Sequence, residues 1–116
     1  MTKTTNKALA LRYLKKYAEK DLNGIEVLFA TDIVLRDWKI RVEGKEQALR
    51  ETRKNFHAAD SIEITTLAMY ENEDTVAAEL KIVVDQDEEL HVVDVITFNA
   101  ERKIVSIRAY LGRGDQ

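Results

Sequence analysis

The sequence predicts an α+β domain in which helices pack on one face of a curved antiparallel sheet. Three observations predict it. Helix-like segments occupy the first half of the chain, and four strand-like runs fill the second. The turns between those runs are only a few residues long, which makes consecutive strands antiparallel neighbours. Finally, Ala78, Leu80, Ile82 and Val84 alternate with Glu79, Lys81 and Asp85, so one face of that strand is core or pocket and the other is mostly wet. The order helix, helix, strand, helix, then four strands suits helices segregated to one side of a sheet.

The first helix starts at Thr4, Thr5 or Asn6, each with a short side-chain oxygen able to accept a free N–H of the first turn. Ala8, Leu9, Leu11, Leu14, Tyr17 and Ala18 follow the helical period, with Tyr13 beside that stripe, and the helix ends near Lys20. Asp21-Leu22-Asn23-Gly24 is a turn, and its aspartate caps a short second helix over Leu22–Phe29. Asp32–Val42, with its β-branched residues and alternation, reads as one strand. After Gly44 comes a charge-rich third helix over Lys45–Ala58, with Ala48, Leu49, Thr52 and Phe56 facing inward. The closing strands cover Ile62–Tyr70, Thr75–Asp85, Leu90–Phe98 and Ile104–Leu111.

Composition bounds the function. The 116 residues suit one domain, 1–116, and 45% apolar with 34% charged content is that of a globular chain. A formal charge of −3 disfavours a general nucleic-acid binder, so no nucleic-acid partner is expected. No run of about 18 apolar residues exists to cross a membrane. The N-terminus lacks an uninterrupted apolar stretch of secretory type. The absence of cysteine removes disulfides, thiol nucleophiles and zinc–thiolate sites. These points favour a cytoplasmic location and no membrane partner.

Asp94 is the most informative residue. It interrupts the apolar run Val92-Val93-Asp94-Val95-Ile96 and shares a face with Val92, Ile96 and Phe98. A carboxyl there is costly unless paired, hydrogen-bonded or protonated. Desolvation favours the neutral acid, which can donate a hydrogen bond; the plainer reading pairs it with a cation such as Arg108. Asp37, beside the only tryptophan (Trp38), is placed to act as a general base or, equally, to be a solvated strand-end carboxylate. Tyr13 and Tyr17 are four residues apart, hence stacked on one helix face, where each hydroxyl needs a partner in the core or a bound oxygen. His57 serves a helix C-terminus, and His91 has the opposite parity to Asp94, so no metal site is expected. Arg113-Gly114-Asp115 matches an integrin-recognition tripeptide, a three-residue coincidence.

Taken together, Arg12-Tyr13-Leu14, Asp21 to Ile25, Leu28-Phe29-Ala30, Asp94 to Asn99 and Lys103 to Ala109 resemble the SnoaL-like branch of the nuclear transport factor 2 superfamily along nearly the whole chain. That resemblance implies the cystatin-like cone: a curved mixed, mostly antiparallel sheet with three helices in the N-terminal half. Within the superfamily the pattern is most similar to bacterial ketosteroid isomerase, in which one aspartic acid stays protonated. The resemblance implies Tyr13 and neutral Asp94 as hydrogen-bond donors to an oxyanion and Asp37 as the base. It further implies a pocket including Tyr17, Trp38, Leu80, Ile82, Ile96 and Leu111, a small apolar carbonyl or phenolic ligand, no cofactor and a homodimer. The sequence departs from the isomerase pattern at Trp38, where proline follows the base, in a loop from Asp37 to Gly44 about two residues shorter than expected, and at Glu51 and Thr52, where the isomerase has aromatics, one a tyrosine supporting the oxyanion tyrosine. Ala78, Leu80 and Ile82 replace mainly larger pocket groups. Other members of the fold are polyketide cyclases, dehydratases and epoxide hydrolases, or non-catalytic dimeric association modules whose open sheet face, here bearing Val93 and Val95, is an interface.

Overall fold

The structure, a computed structural model, describes residues 5–114. Helix α1 spans Asn6–Ala18, and Thr5 caps it: its Oγ1 accepts the Ala8 N–H at 3.0 Å. Thr4 and Asp115 lie outside the described residues, and with Asp115 the complete Arg113–Asp115 tripeptide. The buried stripe of α1 is Leu9, Ala10, Tyr13 and Leu14, with Tyr17 packed against the core. Leu11, expected inside, is 47% exposed, and Tyr13 takes the inner position instead. The inward stripe is thus rotated by one residue from the one read off the sequence, and this rotation carries both tyrosines toward the sheet.

Helix α2 is shorter than expected, Leu22–Glu26, capped by Asp21 through Gly24 N–H at 2.9 Å. The reason is long-range. Leu28 C=O accepts the Ile104 N–H, and Phe29 pairs with Ile104, so the chain here bonds to a distant strand rather than continuing a helix. Strand β1 therefore begins at Phe29 and ends at Arg36. The expected single strand over Asp32–Val42 is two: β1, and β2 (Arg41–Glu43) folded back antiparallel on it. Asp37 makes the turn between them. Its Oδ1 accepts the Lys39 and Ile40 N–H groups at 2.7 and 2.9 Å, an aspartate doing for the backbone what another peptide carbonyl otherwise does.

Gly44, at φ +93°, adopts a backbone conformation open to glycine and leads into α3, Lys45–Ala58, with the predicted bounds. Ala48, Thr52 and Phe56 are buried as expected, and Thr52 returns its hydroxyl to Ala48 C=O at 2.8 Å. Strands β3 (Ile62–Asn72), β4 (Thr75–Val84), β5 (Glu88–Phe98) and β6 (Ile104–Leu111) complete a six-stranded sheet ordered β2-β1-β6-β5-β4-β3. The β1–β6 pair is parallel and the other neighbours antiparallel. Helix α1 packs on β3 and β4, and α3 on β1 and β2. Ala78, Leu80, Val92, Ile96, Phe98 and Ile107 form the buried sheet face of this α+β fold. Among the described residues no helix is long and apolar enough to cross a membrane.

Candidate active site

Strand β5 places Asp94 on the buried face with Val92, Ile96 and Phe98, as its parity requires. Its neighbours across the sheet are Ala78 on β4 and Ala109 on β6, two small side chains that leave room around the carboxyl. Asp94 is 9% exposed, and among the described residues nothing donates a hydrogen bond to it or pairs with it. The expected alternative partner, Arg108, stands opposite Val95 and therefore on the other face of the sheet. Burial, reinforced by the negative charge of Asp37, pushes the Asp94 carboxyl up to about 7. Near neutrality a large share of the molecules therefore hold Asp94 as the uncharged acid, a donor rather than an acceptor-only group.

Helix α1 supplies the phenols. Tyr13 is 4% exposed, with its ring edge-on to Tyr17 at 6.0 Å and tilted against Phe29 at 6.1 Å. Burial, then Asp94, then Tyr17 hold its pKa well above the ordinary phenol value, so it keeps its proton. Its hydroxyl has no hydrogen-bond partner among the described residues. The one fully buried side-chain atom left unpartnered among them is Asn6 Oδ1, so the Tyr13 and Asp94 oxygens retain contact with solvent. Tyr17 is only half-buried. Its ring stands edge-on to Phe56 at 5.0 Å, and its oxygen accepts from Asn55 Nδ2 at 2.9 Å. Burial raises its pKa, the Asn55 hydrogen bond opposes that rise, and Asp94 and Asp37 add to it.

Asp37 approaches from the β1–β2 turn, close enough for its charge to act on both Asp94 and Tyr17. One carboxylate oxygen is held by the turn, and the other accepts no hydrogen bond among the described residues. The fold thus brings together two phenols from one helix, one buried acid from the central sheet and one carboxylate from a turn. Of the remaining sequence-derived pocket residues, Ile82 is half-buried, Leu80 and Ile96 are sealed in the core, and Trp38 and Leu111 are 43% and 46% exposed. Asn55 escaped the sequence reading. Its position beside the inward-facing Phe56 is the only hint, and nothing local distinguishes it from the other polar residues of α3.

Two surface clefts, of about 390 and 230 Å³, lie at the His91 end of the sheet, and neither is lined by Tyr13, Asp37 or Asp94. The first carries Glu89, His91, Arg113 and Gly114, and the second adds Leu67, Glu79, Val93 and Tyr110 of the outer sheet face together with Leu80 and Leu111 of the expected pocket. His91 lies away from Asp94, as expected, with Nε2 2.9 Å from Glu89. Among the described residues no three His, Cys, Asp or Glu side chains are grouped as metal ligands are.

The model of the SnoaL-like domain family matches residues 10–107. The chain belongs to the SnoaL-like family. Solved structures agree at the level of fold. A SnoaL-like protein of unknown function from Burkholderia thailandensis superposes with a TM-score of 0.84 at 17% identity, covering 97% of this chain and 99% of that one. A Kribbella flavida protein described as a candidate ketosteroid isomerase gives 0.82 at 16% identity, covering 96% and 80%. An epoxide hydrolase from M. tuberculosis, similar to the LEH type, gives 0.76 at 14% identity, covering 90% and 80%. None of the curated proteins matches this sequence. This SnoaL-like chain therefore shares a scaffold with proteins assigned to different reactions, and its own chemistry must be argued from its own side chains.

Proposed function

We propose that this SnoaL-like protein binds a small apolar carbonyl or phenolic ligand at Asp94 and moves a proton beside the carbonyl, as ketosteroid isomerase does. The observation that carries the reading is a buried acid with no cation beside it, next to an unpartnered phenol and within the field of a second carboxylate. Such an arrangement separates the roles of two carboxyls by environment. Asp37 takes a proton from the carbon next to the carbonyl. The C–H electrons form the enolate double bond, and the carbonyl π electrons move onto oxygen. Tyr13 and neutral Asp94 donate hydrogen bonds to that oxygen, whose growing negative charge makes both bonds stronger in the transition state than in the ground state. Asp37 then returns the proton to another carbon of the conjugated system. The cycle consumes no cofactor.

The test is titration with a steroidal phenol, a mimic of the enolate, against wild type and Asp94→Asn. Tight binding with ionisation of the phenol, altered by the substitution, supports the reading, and turnover assays on unsaturated ketones follow. Absence of binding to either protein removes it.

A second reading concerns the opposite face of the sheet, and one observation favours it. Leu67, Tyr70, Val93 and Tyr110 are 51%, 65%, 37% and 45% exposed around half-buried Val95. Arg36 and Arg108 flank this surface on one side through Tyr110, and Glu79, opposite Val93, lies on the other. A second copy turned about an axis along β5 sets its Glu79 over Tyr110, two residues along β6 from Arg108 and within reach of that long side chain. We propose that two copies associate through this face. The association stands with a pocket enzyme and equally with a purely structural module.

A further inference from the structure

We propose that Tyr17, presented by Asn55 of α3, is the hydroxyl that holds the ligand's oxygen on the side facing Asp37. The proposal rests on the reading of this site as one that binds an oxygen-bearing ligand, and it adds a residue to which neither the family resemblance nor the Tyr13–Asp94 pair assigns a donor's role. The argument starts from the single hydrogen of a phenol. Asn55 Nδ2 donates to the Tyr17 oxygen at 2.9 Å, which occupies an acceptor position and leaves the O–H free to point elsewhere. The ring cannot swing to follow another partner. Its edge-to-face contacts with Phe56 at 5.0 Å and Tyr13 at 6.0 Å fix its plane from two sides.

Position along α1 decides which phenol meets which carboxyl. Tyr17 lies one turn beyond Tyr13, about 5.4 Å along the axis. Tyr13 is almost sealed, whereas Tyr17 is half-buried and so lies nearer solvent. Both carboxyls act on Tyr17, but of the two only Asp94 acts on Tyr13. A base and the donor that serves the same carbonyl must be separated by little more than the carbonyl and its neighbouring carbon. Tyr17, which feels both carboxyls, is placed to serve the same oxygen beside Tyr13 on the Asp37 side. Asn55 itself touches no ligand in this scheme. It is a positioning residue, and its amide matters because it can donate to the phenol oxygen where a carboxylate can only accept.

The experiment uses the same steroidal phenol, titrated from pH 4 to 9, against wild type, Tyr17→Phe, Asn55→Asp, Asn55→Gln and Asp94→Asn, with folding checked by circular dichroism. Tyr17→Phe keeps the ring contacts and is expected to weaken binding about tenfold to a hundredfold, the usual worth of a hydrogen bond to a charged oxygen. Asn55→Asp is the sharper probe. Its carboxylate can only accept, so it draws the Tyr17 hydrogen to itself. Binding by Asn55→Asp is expected to match wild type at the acid end, where the new carboxyl is protonated, and to fall about tenfold above that carboxyl's pKa. Asn55→Gln, which retains a donor amide, is expected to restore most of the affinity. A simple packing role for Asn55 would move none of this pH dependence. Wild-type affinity at every pH in both Tyr17→Phe and Asn55→Asp, with binding lost in Asp94→Asn, overturns this inference and leaves Tyr13 as the donor phenol. Absence of binding by wild type, or indifference to all the substitutions including Asp94→Asn, overturns the reading of the site and this inference with it.

Discussion

Asp94 and Arg108 lie one step apart in the β5–β6 register and on opposite faces of the sheet. That single step removes the cation that the sequence offers most readily to the buried carboxyl. A paired Asp94 would be held ionised and could only accept. Left unpaired between two alanines, it sits high enough to titrate near neutrality.

The cost of this arrangement is visible in stability. Folding raises the Asp94 carboxyl from 3.8 to about 7, and each unit is worth roughly 1.4 kcal/mol, so ionising the buried acid costs roughly 4 kcal/mol. Between those two pH values the folded chain holds a proton that the unfolded chain has lost. Its contribution is therefore fully present at the acid end of that window, falls as pH rises through it, and is absent above it. Asp94→Asn carries no charge at any pH. It is expected to be more stable than wild type above neutrality and to converge with it near pH 4. Urea unfolding of both proteins across that range measures the difference, and parallel curves would rule out an unpaired Asp94.

Asp37 performs two tasks with its two oxygens, and substitution separates them. Asp37→Asn keeps a carbonyl oxygen for the Lys39 and Ile40 amides, so the turn survives. Its turnover is expected to fall about 10²–10⁴-fold, the usual share of a general base. Asp37→Ala loses the turn bonds as well and is expected to cost a further 1–2 kcal/mol or about that in stability. Melting curves and turnover of the two variants side by side decide the matter. Equal stability would mean that the turn does not depend on the side chain.

These two aspartates were not equally legible in the sequence. Asp94 could be placed because alternation is a local property: Val92, Ile96 and Phe98 fix its face whatever lies across the sheet. The turn at Asp37 could not. No glycine or proline interrupts Asp32–Val42, and the break is made by one carboxylate accepting from the amides two and three residues on. The early end of α2 was hidden for a related reason, since Phe29 is drawn into a parallel pairing with Ile104, 75 positions away. Tyr13 was readable as a neighbour of Tyr17, but its full burial depends on the rotation of α1 against β3 and β4. Asn55 was invisible because its role exists only once α3 has been brought beside α1.

Tyr13→Phe is expected to leave the fold no weaker, or to strengthen it by up to about 1 kcal/mol. The hydroxyl it removes has no partner among the described residues, so no hydrogen bond within the protein is lost and a poorly solvated polar group on a 4%-exposed side chain disappears. Binding of the steroidal phenol should nevertheless weaken by about tenfold to a hundredfold. Chemical unfolding and calorimetric titration of one preparation measure both. A clear loss of stability would show that the hydroxyl is bonded inside the protein and not free for a ligand.

The outer sheet face yields a test in which the two wrong signs repair each other. Arg36 donates to the Tyr110 oxygen at 2.6 Å, and the Arg108 bond to that same oxygen helps hold the Tyr110 pKa low, which concentrates positive charge on one side of Val93 and Val95. On the other side Glu79 makes no ion pair among the described residues, and Val93 stands between it and Tyr110 in the register. Rotation about β5 sets each copy's Arg108 near the partner's Glu79, twice over, as two-fold symmetry requires. Glu79→Arg then places arginine against arginine, and Arg108→Glu places glutamate against glutamate, so each variant alone is expected to be monomeric at concentrations where wild type is dimeric. Mixed in equal amounts, the two variants regain opposite charges at both contacts and should form a heterodimer. Sedimentation of the wild type, each variant and the mixture reads this out. A wild type that is monomeric throughout, or variants whose mixture stays monomeric while wild type dimerises, would show that this face does not join two copies in that way.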